Sequence, residues 1–277
     1  MQCIGHFHNM IADYIKYLFR SHNRHGVHSP FVYELNEKVF NNRLVPESIN
    51  KIKGYRKFLA GCNQILDVDD PGSGSRKATG NKRAIREIYL TASGNERMGL
   101  MLFHLLSYFS SKTVIELGTN LGVSTAYLSA ASVPGGSVYS IEGSKAIYNF
   151  TSEHFKRFFP SPATHLLYGD FNAVLPGLLK QTGAVDLAFV DGNHTYEDTV
   201  NYFKMFLPYV HNNTVLVFDD IYWSDGMKQA WQEIKQHEQV TCSIDLFRWG
   251  IVLFRKEMKK EDFTIRFDGF LQAQVMQ

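Results

Sequence analysis

The chain has 277 residues, 44% of them hydrophobic, with 29 Lys and Arg against 27 Asp and Glu for a net charge of +2. That is enough apolar sequence to bury a sizeable core in one large domain or a domain with an extension, and too balanced a charge to argue for nucleic acid as a partner. Cys3, Cys62 and Cys242 are odd in number and lack metal or redox spacing, so they read as reduced thiols of a cytoplasmic protein in which the sequons at Asn149, Asn193 and Asn212 carry no meaning.

The first residues, Met1 to His8, show no basic segment followed by an apolar core, and no later stretch is apolar enough to span a bilayer. Neither secretion nor membrane insertion is expected. Ile4, Phe7, Ile11, Tyr14 and Leu18 recur at spacings of three and four, which predicts a helix with one apolar stripe. Such a stripe suits packing on the helix's own domain; a homodimer contact, or a membrane-surface role alongside Lys16 and Arg20, are the alternatives. His22, His25 and His28 recur every third residue, but Gly26 and Pro30 argue against a regular helix and no acid or cysteine completes a ligand set. A turn packing the N-terminal helices onto the core fits this segment better than a metal site.

Asp67 to Asn81 breaks all periodicity and reads as a connection, or as a lid over a site. It suggests a division into a helical N-terminal extension, residues 1–90, and a main domain, residues 91–277. From Thr113 onward strand-like and helix-like segments alternate: strands at Thr113–Leu117, Ser137–Ile141, His165–Tyr168, Val185–Val190 and Thr214–Phe218, helices from Val123, Ser144, Asn172, Tyr196 and Asp225. The alternation predicts a mostly parallel α/β sheet covered on both faces. Alternating Val240, Cys242, Ile244 and Leu246, a turn near Arg248-Trp249-Gly250, and Ile251–Phe254 predict a closing antiparallel hairpin.

The strand Thr113–Leu117 runs into Gly118 and Gly122 and then a helix, the arrangement of a nucleotide-cofactor turn whose free helix N–H groups suit an anionic group. A dinucleotide fingerprint would read G-x-G-x-x-G; here the pattern is Glu116-Leu-Gly118-Thr-Asn120-Leu-Gly122-Val-Ser124. This resembles the first motif of class I S-adenosylmethionine-dependent methyltransferases. The resemblance implies a Rossmann-like fold and a methionine end held by Glu116, Gly118, Asn120, Gly122 and Ser124.

Glu142, at the end of the second strand and followed by Gly143, is placed to accept hydrogen bonds from ribose hydroxyls. Gly169, Asp170 and Phe171 close the third strand, where the resemblance places contacts to adenine. The fourth and fifth strands end in Asp191 and in Asp219-Asp220. Three carboxylates brought together repel unless protons or a cation intervene, and a hard divalent ion meets that need. Here the resemblance narrows to metal-dependent, catechol-type O-methyltransferases and covers about Thr91 to Lys256. It implies Mg²⁺ or a similar ion held by Asp191, Asp219 and Asp220, with Asp191 also beside the cofactor. Asp220 stands where catechol-type members usually carry asparagine. His194 occupies a position where those enzymes often have a lysine or histidine near the reacting oxygen, so it is the candidate base. Tyr222 and Trp223 could wall an aromatic pocket or belong to the core.

The expected activity is methyl transfer from S-adenosylmethionine to the hydroxyl of a small-molecule acceptor. A nicotinamide-dependent oxidoreductase and a non-catalytic S-adenosylmethionine-binding or assembly protein are the alternatives.

Overall fold

The computed structural model describes residues 2–22, 26, 28–68 and 82–267, and side chains of the first helix from Met10 onward. Ten helices and ten strands occur in this part of the chain, in the order α1 (Gln2–Arg20), α2 (Pro30–Leu35), α3 (Asn50–Gly61), β1 (Ile65–Asp67), β2 (Lys82–Ala84), α4 (Ile85–Ala92) and α5 (Glu96–Phe109), followed by β3 (Thr113–Leu117), α6 (Val123–Ala130), β4 (Ser137–Glu142), α7 (Lys145–Phe158), β5 (Thr164–Tyr168), α8 (Phe171–Thr182), β6 (Leu187–Val190), α9 (Tyr196–Phe206), β7 (Val215–Phe218), α10 (Asp225–Gln236), β8 (Cys242–Asp245), β9 (Gly250–Leu253) and β10 (Glu261–Thr264). A short π-helical turn, Asn36–Phe40, extends α2.

Eight strands form one sheet in the order β10-β8-β9-β7-β6-β3-β4-β5. β9 is antiparallel to β7 and β8, and the other pairs are parallel. All four residues of β6 and of β7 are buried, as expected of strands covered on both faces. Their side chains alternate between two cores. Val114, Leu187, Phe189, Val215 and Val217 face α5 and the α2 segment; Ile115, Ala188, Val190, Leu216 and Phe218 face α8, α9 and α10. A third core joins α3, α4 and α7 through Tyr55, Ile85 and Phe150. Helix starts follow from their caps: the side chains of Asn95, Asp170, Thr195 and Ser224 each accept a backbone N–H of the first turn.

Several boundaries differ from the sequence expectation. β6 begins at Leu187 because Asp186 turns its carboxylate onto the N–H groups of Lys112 and Thr113, 2.8 and 2.7 Å away. β10 was not anticipated; its parallel pairing with β8 extends the sheet beyond the hairpin. Of the expected stripe on α1, Ile11 remains exposed. Tyr14 of that stripe packs on Phe247, and the docked face also carries Asp13 and Tyr17: Asp13 pairs with Lys228 at 2.8 Å, and the Tyr17 hydroxyl donates to the Ile265 carbonyl at 2.5 Å. Ile4, Phe7 and His25 lie outside the described side chains. His22 donates its backbone N–H to the Thr264 carbonyl, a packing role in line with a turn. The suggested lid or connection lies, for residues 69–81, outside the described residues; its flanks β1 and β2 pair antiparallel. No helix among the described residues is long and apolar enough to cross a membrane.

Candidate active site

The order of the sheet reverses around β3, which lies between β4 and β6, and the carboxyl ends of these strands open a crevice of the kind that holds ligands in such sheets. Two turns define it. Gly118 follows β3 with φ +102°, and a Cβ there would stand 1.9 Å from the Asp191 carbonyl oxygen, so only glycine lets the ends of β3 and β6 approach. The adjacent loop places Asn120 so that its N–H donates to Glu142 Oε2 at 2.7 Å, while the Ser144 N–H donates to Oε1 at 2.8 Å. Each oxygen of Glu142 is thus oriented by a backbone donor. Asn120 Oδ1 and Ser144 Oγ are buried without a hydrogen-bond partner among the described residues, a polar demand that a bound hydroxylated group would satisfy.

Glu116 lies in β3, just before the glycine loop. Its carboxylate is fully buried and accepts from Thr125 and Ser140 hydroxyls, both at 2.5 Å, so it braces the glycine loop from behind. Burial pushes its pKa up to about 7, partly offset by those hydrogen bonds. Gly122 caps α6 at φ +71°, and Gly169 donates its N–H to the Glu142 carbonyl at 3.0 Å. Asp170 and Phe171, with Asn120, Glu142, Gly143 and Asp191, line the main cleft, whose volume is about 680 Å³. A smaller inner chamber opens beside it, lined by Ser124 and sharing Gly118, Asn120, Asp191 and Arg248 with the cleft.

Asp191, Asp219 and Asp220 converge at the ends of β6 and β7, but the balancing charge is a side chain. Arg248, in the turn between β8 and β9, reaches Asp219 with Nε at 2.9 Å and Nη2 at 3.1 Å, and its Nε lies 3.4 Å from Asp220. Asp219 is only 3% exposed, and both of its oxygens are engaged by this bidentate contact. Burial would raise the Asp219 pKa, yet the Arg248 charge and hydrogen bonds hold it below the usual range. Burial and then the Asp219 charge raise both Asp191 and Asp220. Among the described residues no group of three or more His, Cys, Asp and Glu side chains is placed to hold a metal ion. The expected ligand set does not fit as it stands: both oxygens of Asp219 are taken by the guanidinium, which also lies beside Asp220.

His194 has φ +36°, and its Nε2 stands 3.4 Å from Asp191 Oδ1. Burial opposes its charge, but the Asp191 hydrogen bond and the three acidic neighbours win, pushing the imidazole up to about 9. Trp223 is 43% exposed and lines the cleft, whereas the Tyr222 hydroxyl donates to Asp245 at 2.7 Å and its ring stacks on Phe247. Of this aromatic pair, one therefore faces the cleft and the other holds the hairpin turn. Arg248 was missed because nothing in its local sequence marks it. Three strand-end acids with a single nearby histidine were the available sign that another cation had to arrive from elsewhere.

Residues 115–221 match the family model described as a methyltransferase domain. Over those residues the chain is similar to that family. Its fold is shared with solved structures of methyltransferases. The O-methyltransferase from Bacillus cereus in complex with SAH aligns at 13% identity and TM-score 0.54, covering 79% of this chain and 95% of that one. TomG from Streptomyces achromogenes, an O-methyltransferase involved in tomaymycin synthesis and solved with SAM, aligns at 18% and 0.55, covering 81% and 95%. The SAH-bound methyltransferase PaMTH1 of Podospora anserina aligns at 13% and 0.56, covering 82% and 94%. An uncharacterized protein of Acanthamoeba polyphaga mimivirus is 31% identical over 70 residues, which is 24% of this chain. The match spans about a third of that relative's length, 32%. Within the matched residues lie the glycine loop, Glu142, the Gly169 turn and all three strand-end aspartates; Arg248 lies beyond them.

Proposed function

We propose that the protein is an S-adenosylmethionine-dependent methyltransferase acting on a hydroxyl of a small molecule, with Arg248 taking the charge-balancing place that a divalent ion holds in catechol-type relatives. The observation that carries the reading is the continuity of the cleft from the oriented carboxylate of Glu142 to the Arg248–Asp219–Asp220 cluster. Glu142 receives the ribose hydroxyls, Asp170 and Phe171 border the base, and Ser124 and Asp191 border the methionine end. When bound, the cofactor supplies a methyl already activated on a sulfonium, released as the acceptor O–C bond forms and the C–S bond pair returns to sulfur. His194 in its neutral form takes the hydroxyl proton. Arg248, whose guanidinium has five donors, stabilises developing negative charge on the acceptor oxygen while remaining fixed by Asp219. The exposed Ile11, Ile15 and Phe19 of α1 support a homodimer contact through this helix.

Calorimetric titration with S-adenosylhomocysteine tests the cofactor site. Glu142→Ala is expected to weaken binding by about 1.5–3 kcal/mol, the range for hydrogen bonds to a charged group. Unchanged affinity in a folded variant would remove Glu142 from the site, and tight NAD binding would overturn the cofactor assignment. For the cation, turnover on a phenolic acceptor panel is expected to survive exhaustive chelation, with elemental analysis showing no stoichiometric metal. Loss of turnover on chelation, restored by Mg²⁺, would show that Arg248 does not replace the ion.

A further inference from the structure

Arg56 comes from α3, in the part of the chain that precedes the matched domain, yet it lines the inner chamber behind the glycine loop. Its Nη2 donates to the Gly94 carbonyl at 2.9 Å, and its Cζ lies 5.6 Å from the centre of the Tyr89 ring. The side chain is thereby held in one orientation. The guanidinium also lies close enough to the Tyr127 hydroxyl to favour its ionised form, yet Nη1 is buried and makes no hydrogen bond of good geometry among the described residues. A guanidinium nitrogen shielded from water and unpartnered is costly, and the cost is removed by an acceptor arriving from outside the protein.

The chamber limits what that acceptor can be. Its volume is about 50 Å³, room for a head group of a few atoms and too little for a whole acceptor molecule. It opens from the cleft on the Gly118 side, away from the oriented Glu142, and is walled by Ser93, Asn95, Ser124 and Tyr127 as well as by Asp191. Arg248 and Asp219, which also line the chamber, are paired with each other, so Arg56 and Asp191 are the cation and the carboxylate left to meet an α-amino acid, which carries one charge of each sign.

We infer that Arg56 is the binding residue for the α-carboxylate of the cofactor's amino-acid tail, with its Nη1 donating to a carboxylate oxygen. This rests on the S-adenosylmethionine reading of the cleft. It also gives the segment before the glycine loop a role in cofactor selection: α3 closes the chamber and distinguishes a ligand with the amino-acid tail from a bare nucleoside.

The test compares two ligands that differ only in that tail, S-adenosylhomocysteine and 5′-methylthioadenosine, by calorimetric titration of the full chain and of Arg56→Met and Arg56→Lys. Methionine keeps an unbranched stem against Tyr89 but has no donor. Arg56→Met is expected to weaken S-adenosylhomocysteine binding roughly 10- to 100-fold, as for a lost charge-assisted hydrogen bond, while methylthioadenosine binding changes less than about twofold. Arg56→Lys, which retains charge without the planar fork, should fall between on the first ligand and leave the second unchanged. Equal weakening of both ligands would assign Arg56 to the fold, and no weakening of either would remove it from the chamber. If the unmodified chain binds methylthioadenosine as tightly as S-adenosylhomocysteine, the tail is not recognised and the inference fails while the nucleoside site stands. Binding of neither ligand would overturn the inference together with the cofactor reading.

Discussion

Replacing Arg248 with alanine is expected to destabilise the protein by about 3–5 kcal/mol, the usual cost of removing one partner of a buried ion pair. The expectation follows from Asp219, which is buried and has both oxygens on the guanidinium. Without Arg248 that carboxylate faces two others, and it must either take up a proton or draw in water. Urea denaturation at neutral pH measures the loss. Asp219→Asn combined with Arg248→Met, which removes the charge and its partner together, should be milder than Arg248→Ala alone. A destabilisation below about 1 kcal/mol would mean that the pair behaves like an exposed one and does not hold the β8–β9 turn. The same variant examines the idea that the guanidinium stands in for an ion: with the three aspartates released, Mn²⁺ titration should reveal binding that the unmodified chain lacks. Equal Mn²⁺ affinity with and without Arg248 would contradict that idea.

The second large effect is expected at His194. Its alanine variant should lose roughly 10²- to 10⁴-fold in kcat on a weakly acidic hydroxyl acceptor, the range for a general base, with cofactor affinity little changed. The sign of the pH dependence follows from the raised pKa of about 9. Only the neutral imidazole accepts a proton, and at pH 7 it is on the order of 1% of the total. kcat/KM should therefore climb close to tenfold per pH unit from about pH 6 and level off above about 9. A rise shared by His194→Ala would belong to ionisation of the acceptor and would leave His194 as part of the loop.

The parallel core of the sheet was legible because its strands are short apolar runs between glycine and acidic punctuation. β3 and β7 show this: Val114 to Leu117 and Val215 to Phe218 are short, rich in β-branched residues and bounded by turn residues. The loop glycines, Glu142 and the strand-end aspartates were legible for a related reason, since a parallel sheet sends every strand terminus to one edge. What could not be read was contact between distant segments. Arg248 meets Asp219 from 29 positions away, and Arg56 meets the Gly94 turn from 38. Neither lies in a repeating pattern, because a single cation placed by a turn or a helix face leaves no period behind. Glu116 shows what a motif leaves open. Its position suggested direct ligand contact; Thr125 and Ser140 hold its Oε2, while Oε1 is buried with no hydrogen-bond partner among the described residues.

The docking of α1 on the far end of the chain bears on how the molecule is made. Tyr17 and Ile265 are 248 positions apart, and Tyr14 and Tyr17 also pack on Phe247, the neighbour of Arg248. Closing a loop of that length costs about 5 kcal/mol of chain entropy, so these contacts form only after nearer ones have paid down the search. During synthesis the first helix emerges before its receiving surface exists. It must wait, with its tyrosine face uncovered, until strands β8 to β10 have followed. The surface beside Arg248 is thus completed by a segment distant in sequence, a non-local contact of the kind that slows folding.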